Sequence, residues 1–254
     1  VASYAFHGLV KAGMMDVFGY LETVKYRYGL HSADIWNGML PSMDEEYLKK
    51  VREALDEREL ELANLCVDGA HIWEADPAAR ERNRQNAVAA LKAAEILGAK
   101  TVRIDAGSRD EAFSQEQLDL IIKRYKEYCQ RAYDGGFKLG PENHWGPERT
   151  LAGLKAIHDG VASPAFGVLL HFGNWTGPGA EGGDAFAAPW AMHTHVSMGI
   201  VETCLNVKME MLRAAGYAGY WGIEFHAAAR EYAQVGVMVA RVRDQLDQWR
   251  VAGA

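Results

Sequence analysis

In Pro141-Glu142-Asn143-His144-Trp145-Gly146, an apolar run starting at Phe137 ends on an acid, an amide and an imidazole. Side chains alternate along a strand, so Glu142 and His144 face one side and Asn143 the other. Two ionisable groups side by side are costly to desolvate unless they are paired or bound to a metal. Comparable endings recur downstream, where apolar runs finish at His171, His195 and Glu224. Two imidazoles and two carboxylates at successive strand tips suit Mn, Fe, Co or Zn. The expected centre is one divalent metal, manganese by preference with Co, Fe, Zn or Mg as alternatives, held by Glu142, His171, His195 and Glu224. A metal-free His–carboxylate network is the competing reading, and it leaves several titrating groups in need of partners.

Such a centre suits proton abstraction beside a carbonyl, with the ion polarising the substrate and a side chain moving the proton. Glu142, His144 and Glu224 are the catalytic candidates. His144, two residues beyond Glu142, can border the metal without binding it, or can orient a ligand instead. His193 stands in the same relation to His195. Arg103, Asp105, Trp145, Asn174, His193 and His226 are the substrate-binding candidates, although Arg103 and Asp105 can equally pair with each other. Trp36, Trp73, Trp145 and Trp175 follow expected strand ends and offer flat walls to a sugar ring or aglycone.

The elements that would carry these residues alternate along the chain. Strands are expected at 1–6, 32–36, 61–68, 100–105, 137–142, 166–171, 191–196 and 220–225. Helices are expected over 9–28, from a capping box at Ser42 and Glu45, from Asp76-Pro77 to Gly98, and from a second box at Ser114 and Gln117. Others lie near 148–160, 200–215 and 229–250, while 177–183 reads as loop. Repeated strand–helix units predict an α/β fold, a (β/α)8 TIM barrel forming a single domain over 1–254. An open doubly wound sheet would show a Gly-rich phosphate turn after an early strand, and none is present. Chemistry in such a barrel collects at the carboxyl ends of the strands, where His7, His71, His144, His171, His193, His195 and His226 are all expected.

Composition narrows the partners. Of 254 residues, 49% are hydrophobic and 24% charged, with a net charge of −7 and no Lys/Arg block, which argues against nucleic acid. Cys66, Cys129 and Cys204 lack metal-type spacing and read as reduced thiols, which predicts a cytoplasmic protein. No apolar run approaches membrane-spanning length. The chain starts at Val1, within an expected strand, so further residues are expected upstream. The expected partner is a small sugar or glycoside, with homo-oligomerisation left open.

The segments PENHWG, LLHFGNW, HTHVS and GYWGIEFH also resemble the strand-end motifs of the sugar-phosphate isomerase/epimerase-like barrels, the xylose-isomerase-like superfamily. The resemblance is sharpest over the second half of the chain. It implies one divalent metal held by Glu, Asp, His and Glu from the last four strands. Glu142, His195 and Glu224 match in type, whereas His171 stands in place of the Asp. Ketose 3-epimerases of that family carry a Glu and an Arg after the seventh strand, where this chain reads Val196-Ser197-Met198-Gly199. The implied function is a metal-dependent isomerase or epimerase acting on a keto-sugar through an enediolate. The alternative is a lyase or deglycosidase that eliminates the aglycone of a 3-keto-glycoside. Behind these stand an apurinic-site endonuclease and a non-catalytic sugar-binding barrel. A neutral sugar is expected rather than a phosphorylated one, because the loops SMGIVE and HAAARE offer Arg230 as their sole cation.

Overall fold

In a computed structural model describing residues 1–253, the apolar runs close into a ring of parallel staves. The strands β1 (Ser32–Trp36), β2 (Glu61–Val67), β3 (Thr101–Ile104) and β4 (Lys138–Gly140) form one sheet in that order. The strands β5 (Val168–His171) and β6 (Ala191–His195) form a second. Parallel bridges Leu139–Phe166 and Glu142–Leu169 join the two sheets. Gly140 permits that join, since a Cβ there would fall 1.7 Å from the carbonyl oxygen of Gly167.

Two of the expected strands shrink to isolated bridges. Of 1–6, Ala2 alone pairs, with Asp34, and Ser3–Phe6 winds into a 3-10 turn. Of 220–225, Ile223 alone pairs, with Val196. Hydroxyl side chains take over ladder positions at both: Trp36 N–H donates to Ser3 Oγ at 2.8 Å, and Gly222 N–H to Thr194 Oγ1 at 3.0 Å. The bond from Ala2 N–H to the Ile223 carbonyl closes the ring.

Outside the ring lie α1 (His7–Lys11), α2 (Val17–Glu22), α3 (Glu45–Glu57), α4 (Pro77–Leu97), α5 (Gln115–Gly135), α6 (Leu151–Val161), α7 (Gly183–Ala187), α8 (Met198–Thr203), α9 (Leu205–Ala214) and α10 (Glu231–Val251). The longest follow their sequence signals. Asp76 caps α4 by accepting from Ala78 and Ala79 N–H, and Gly98 ends it in the left-handed region. Ser114 and Gln117 form the reciprocal box of α5.

Others depart from expectation. The Ser42–Glu45 box does not form: Ser42 Oγ accepts from Asp44 N–H two residues on, and Asp44 becomes the N-cap. The expected helix over 9–28 breaks at Gly13, restarts with Asp16 as cap, and finishes in a wider turn over Thr23–Arg27. The helix over 200–215 is divided at Cys204. The expected loop 177–183 contains a 3-10 turn, Ala180–Gly182, leading into α7, because buried Asp184 accepts from Gly173 N–H and Trp175 Nε1. Among the described residues, no helix is long and apolar enough to cross a membrane.

Glu148 braces the carboxyl-end rim. It lies in the 3-10 turn Gly146–Arg149, fully buried, and its Oε2 accepts from Ala106 N–H at 2.8 Å just beyond β3. Burial and nearby Asp105 push its carboxyl well above the usual range, outweighing the Ala106 bond. A raised folded-state pKa means that stability falls as pH rises above the unfolded-state value. Glu148→Gln should therefore melt higher than the parent by a margin that widens from about pH 5 to about pH 8. A margin independent of pH in thermal melts would contradict a neutral Glu148.

Candidate metal centre

Glu142, His171, His195 and Glu224 converge at the carboxyl-end mouth, each offering one ligand atom within 4.8 Å of all the others. His171 Nδ1 lies 2.9 Å from Glu142 Oε1 and 3.5 Å from Glu224 Oε2. His195 Nδ1 lies 3.3 Å and 3.5 Å from the same two oxygens. Burial raises the Glu142 carboxyl, but His195, His171 and Arg103 outweigh it and hold the group well below the usual carboxylate range. Glu224 is likewise pulled down against burial by His195 and by His226, whose Nε2 is 3.0 Å away. Burial pulls His195 down, yet Glu224 and Glu142 hold its imidazole well above the ordinary value.

The far side of His195 meets a residue that the sequence reading passed over. Asp34, in the middle of β1 and 2% exposed, accepts from His195 Nε2 at 3.2 Å and from His193 Nε2 at 2.8 Å. Asn64 Nδ2 donates to its other oxygen. Burial raises the Asp34 carboxyl, and His193 and His195 outweigh it and keep the group ionised. The available signal was an aspartate between Ala33 and Ile35 in an otherwise apolar strand. An ionised Asp34 accepts from His195 Nε2 and so turns Nδ1 toward two carboxylate oxygens. Without a cation a proton on Nδ1 bridges to the carboxylates, and a divalent ion would take that proton's place. Two carboxylates with two neutral imidazoles also balance a divalent charge, so the donor set fits a metal of that class.

Around this cluster lies a cavity of about 140 Å³. Tyr4, Trp36, Asp68, Arg103, His144 and His226 are among its walls. Arg103 is buried and ties the strand ends together, with Nη1 3.0 Å from both Asp68 and Asp105 and Nε 3.4 Å from Glu142 Oε2. His144 is 45% exposed along its side chain, with Nδ1 3.1 Å from Asp105 Oδ2 and 3.9 Å from Glu142 Oε2. Burial lowers its pKa, and the bond to Asp105 with the charge of Glu142 raises it above the ordinary histidine value.

The six substrate-binding candidates divide by position. Arg103 and His226 line the central cavity. Trp145 lines a neighbouring one instead. Asp105, His193 and Asn174 line neither. Asp105 is spent on Arg103, His144 and the Glu142 backbone N–H. His193 is 1% exposed and donates to Asp34. Asn174 Nδ2 donates to the carbonyls of Asn143 and His144. For those three a direct substrate contact is corrected to support of the residues that face the cavity, because none lines it and each is bonded to a residue that does. Trp175 is buried against Asp184, so it too forms no wall.

Fold and site together define a parallel TIM barrel with a cluster of metal-competent side chains at its mouth. The chain belongs to the xylose isomerase-like TIM barrel family, whose profile matches residues 26–241. Among solved structures it is similar to an L-ribulose 3-epimerase, with TM-score 0.78 and 14% identity over 100% of this chain and 95% of that one. It is similar also to the probable 3-DHS dehydratase AsbF from Bacillus anthracis, with TM-score 0.72 and 15% identity over 96% and 97% of the two chains. A 3-keto-D-glucoside 4-epimerase from E. coli aligns with TM-score 0.70 and 17% identity over 93% and 94%. No curated protein matches the chain in sequence. At these identities the likeness to solved structures concerns the fold.

Asp34→Ala should leave the barrel folded but lower divalent-metal affinity by about 10–100-fold, as for loss of a carboxylate behind a ligating imidazole. Titration of chelator-stripped protein with Mn²⁺ reads this directly, and unchanged affinity would remove Asp34 from that role.

Proposed function

We propose that this protein is a metal-dependent isomerase or epimerase of a keto-sugar. The observation that carries the reading is the convergence of Glu142, His171, His195 and Glu224 at the mouth, with a half-exposed imidazole, His144, beside them. These four residues would hold one divalent ion, manganese by preference. When bound, it would polarise the substrate's carbonyl and hydroxyl oxygens and so acidify the adjoining C–H. Family membership and the activities of the similar structures support a sugar substrate.

The chain's own residues supply the rest. His144 is the proton carrier in this reading, because its ring is open to the cavity while Asp105 fixes Nδ1 and leaves Nε2 for substrate. Glu142 and Glu224 are the alternative carriers. Arg103 keeps Glu142 ionised and in place, and Tyr4, Trp36 and His226 provide ring faces and polar edges suited to hydroxyl-rich ligands. Elimination from a 3-keto-glycoside is the second reading. It is favoured by the run Val196-Ser197-Met198-Gly199 after His195, which lacks the Glu and Arg that ketose 3-epimerases carry in this region.

Manganese-loaded protein incubated with D-fructose, D-psicose and 3-keto-D-glucose in deuterated water should exchange the hydrogen beside the carbonyl, and chelation should abolish the exchange. No exchange with any keto-sugar, metal being bound, would overturn the reading. His144→Ala should keep its metal and lose about 10²–10⁴-fold in turnover. Loss of the metal instead would make His144 a ligand, and near-normal turnover would pass the proton transfer to Glu142 or Glu224.

A further inference from the structure

Beside the central cavity lies a second one of about 220 Å³. His71, Trp73 and Glu74 from the loop after β2, Ser108 and Arg109 from the loop after β3, and Trp145 from the loop after β4 line it. The step from His144 to Trp145 divides the two cavities: His144 faces the central one and Trp145 the outer one, with ring centroids 5.7 Å apart. The central cavity alone falls short of the roughly 300–1,000 Å³ usual for small-molecule sites, and the two together reach that range.

The outer cavity is built rather than left over. Trp73 is pinned to the loop after β3 by its N–H bond to the Ala106 carbonyl and by its bridge to Gly107. Gly107 has φ 83°, and a Cβ there would lie 2.4 Å from the Trp73 carbonyl oxygen. Ser108 follows at φ 72°, a left-handed conformation that a residue with a side chain rarely adopts and that is strained. Strain of this kind persists where surrounding contacts impose it, and here it turns the loop so that Arg109 comes over Trp145, at 5.2 Å from the ring centroid. Trp145 Nε1 is buried without a hydrogen-bond partner, a donor whose desolvation nothing in the chain offsets. His71 stands edge-on to the same ring at 5.6 Å.

Two indoles, the Arg109 guanidinium and the bonded His71–Glu74 pair are the equipment for a neutral, hydroxyl-bearing ring. An anion would have to share the cavity with Glu74 and with Asp110, which also lines it. We infer that the outer cavity is a subsite for a second sugar ring, the part of a glycoside lying beyond the ring bound at the mouth. The inference rests on the keto-sugar reading of the central site and adds that the preferred substrate is a disaccharide or glycoside rather than a free monosaccharide.

Calorimetric titration of manganese-loaded protein with 3-keto-D-glucose, 3-ketocellobiose and 3-ketomaltose tests it. At least one disaccharide should bind about tenfold more tightly than the monosaccharide. Arg109→Ala, at an exposed position, should erase most of that advantage without altering monosaccharide affinity. Trp145→Phe, which shrinks the indole wall to a single ring and removes its N–H, should reduce it. Equal affinities for one ring and two, or a disaccharide advantage indifferent to Arg109 and Trp145, would overturn the subsite while leaving the keto-sugar reading intact. Tighter binding of 3-keto-glucuronosides than of neutral disaccharides, lost with Arg109, would overturn it in favour of an anion site. Failure of every keto-sugar to bind would remove both readings together.

Discussion

The site depends on one buried carboxylate. Glu142 is 2% exposed and still held ionised, because two imidazoles and the Arg103 guanidinium surround it. An uncompensated charge there would cost several kcal/mol. Its companions are therefore as constrained as it is. Arg103 must be anchored, which occupies Asp105 and Asp68. His195 must present Nδ1, which occupies Asp34. Asp105 also accepts from the Glu142 backbone N–H and from His144, so the group that steadies the guanidinium also aims the imidazole beside the substrate space. Removing any one of these leaves a buried charge behind.

Much of this was legible in the residues. The strand-tip set of Glu142, His171, His195 and Glu224 could be read because a parallel barrel delivers every strand end to one rim, so that order along the chain becomes proximity in space. Caps built from local chemistry were legible for the same reason of scale: Asp76 and Ser114 act on N–H groups two or three residues away. What stayed hidden was settled at longer range. Asp34 matters through His195, 161 residues later, and the shortness of the first and last staves follows from Ser3 and Thr194 hydroxyls replacing backbone partners across neighbouring strands. Ser42 had the right spacing for a cap and was diverted by a closer N–H. Asn174 and His193 looked available because the sequence shows a polar side chain but not the partner that has already engaged it.

The ring is also assembled from unequal pieces. β1–β4 is a continuous plate and β5–β6 a smaller one, whereas the last stave pairs through one bridge to Val196 and one bond from Ala2. Glu142 stands just past the edge of the first plate, His171 and His195 end the second, and Glu224 follows the loosely held stave. The four side chains thus straddle both seams of the barrel instead of sitting on one rigid panel. An ion held there would work as a rivet, fastening the two sheets and the short last stave where the backbone ladder is thinnest. Filling the mouth and joining the wall would then be one event, so an ion held by all four side chains would stabilise the closed ring itself.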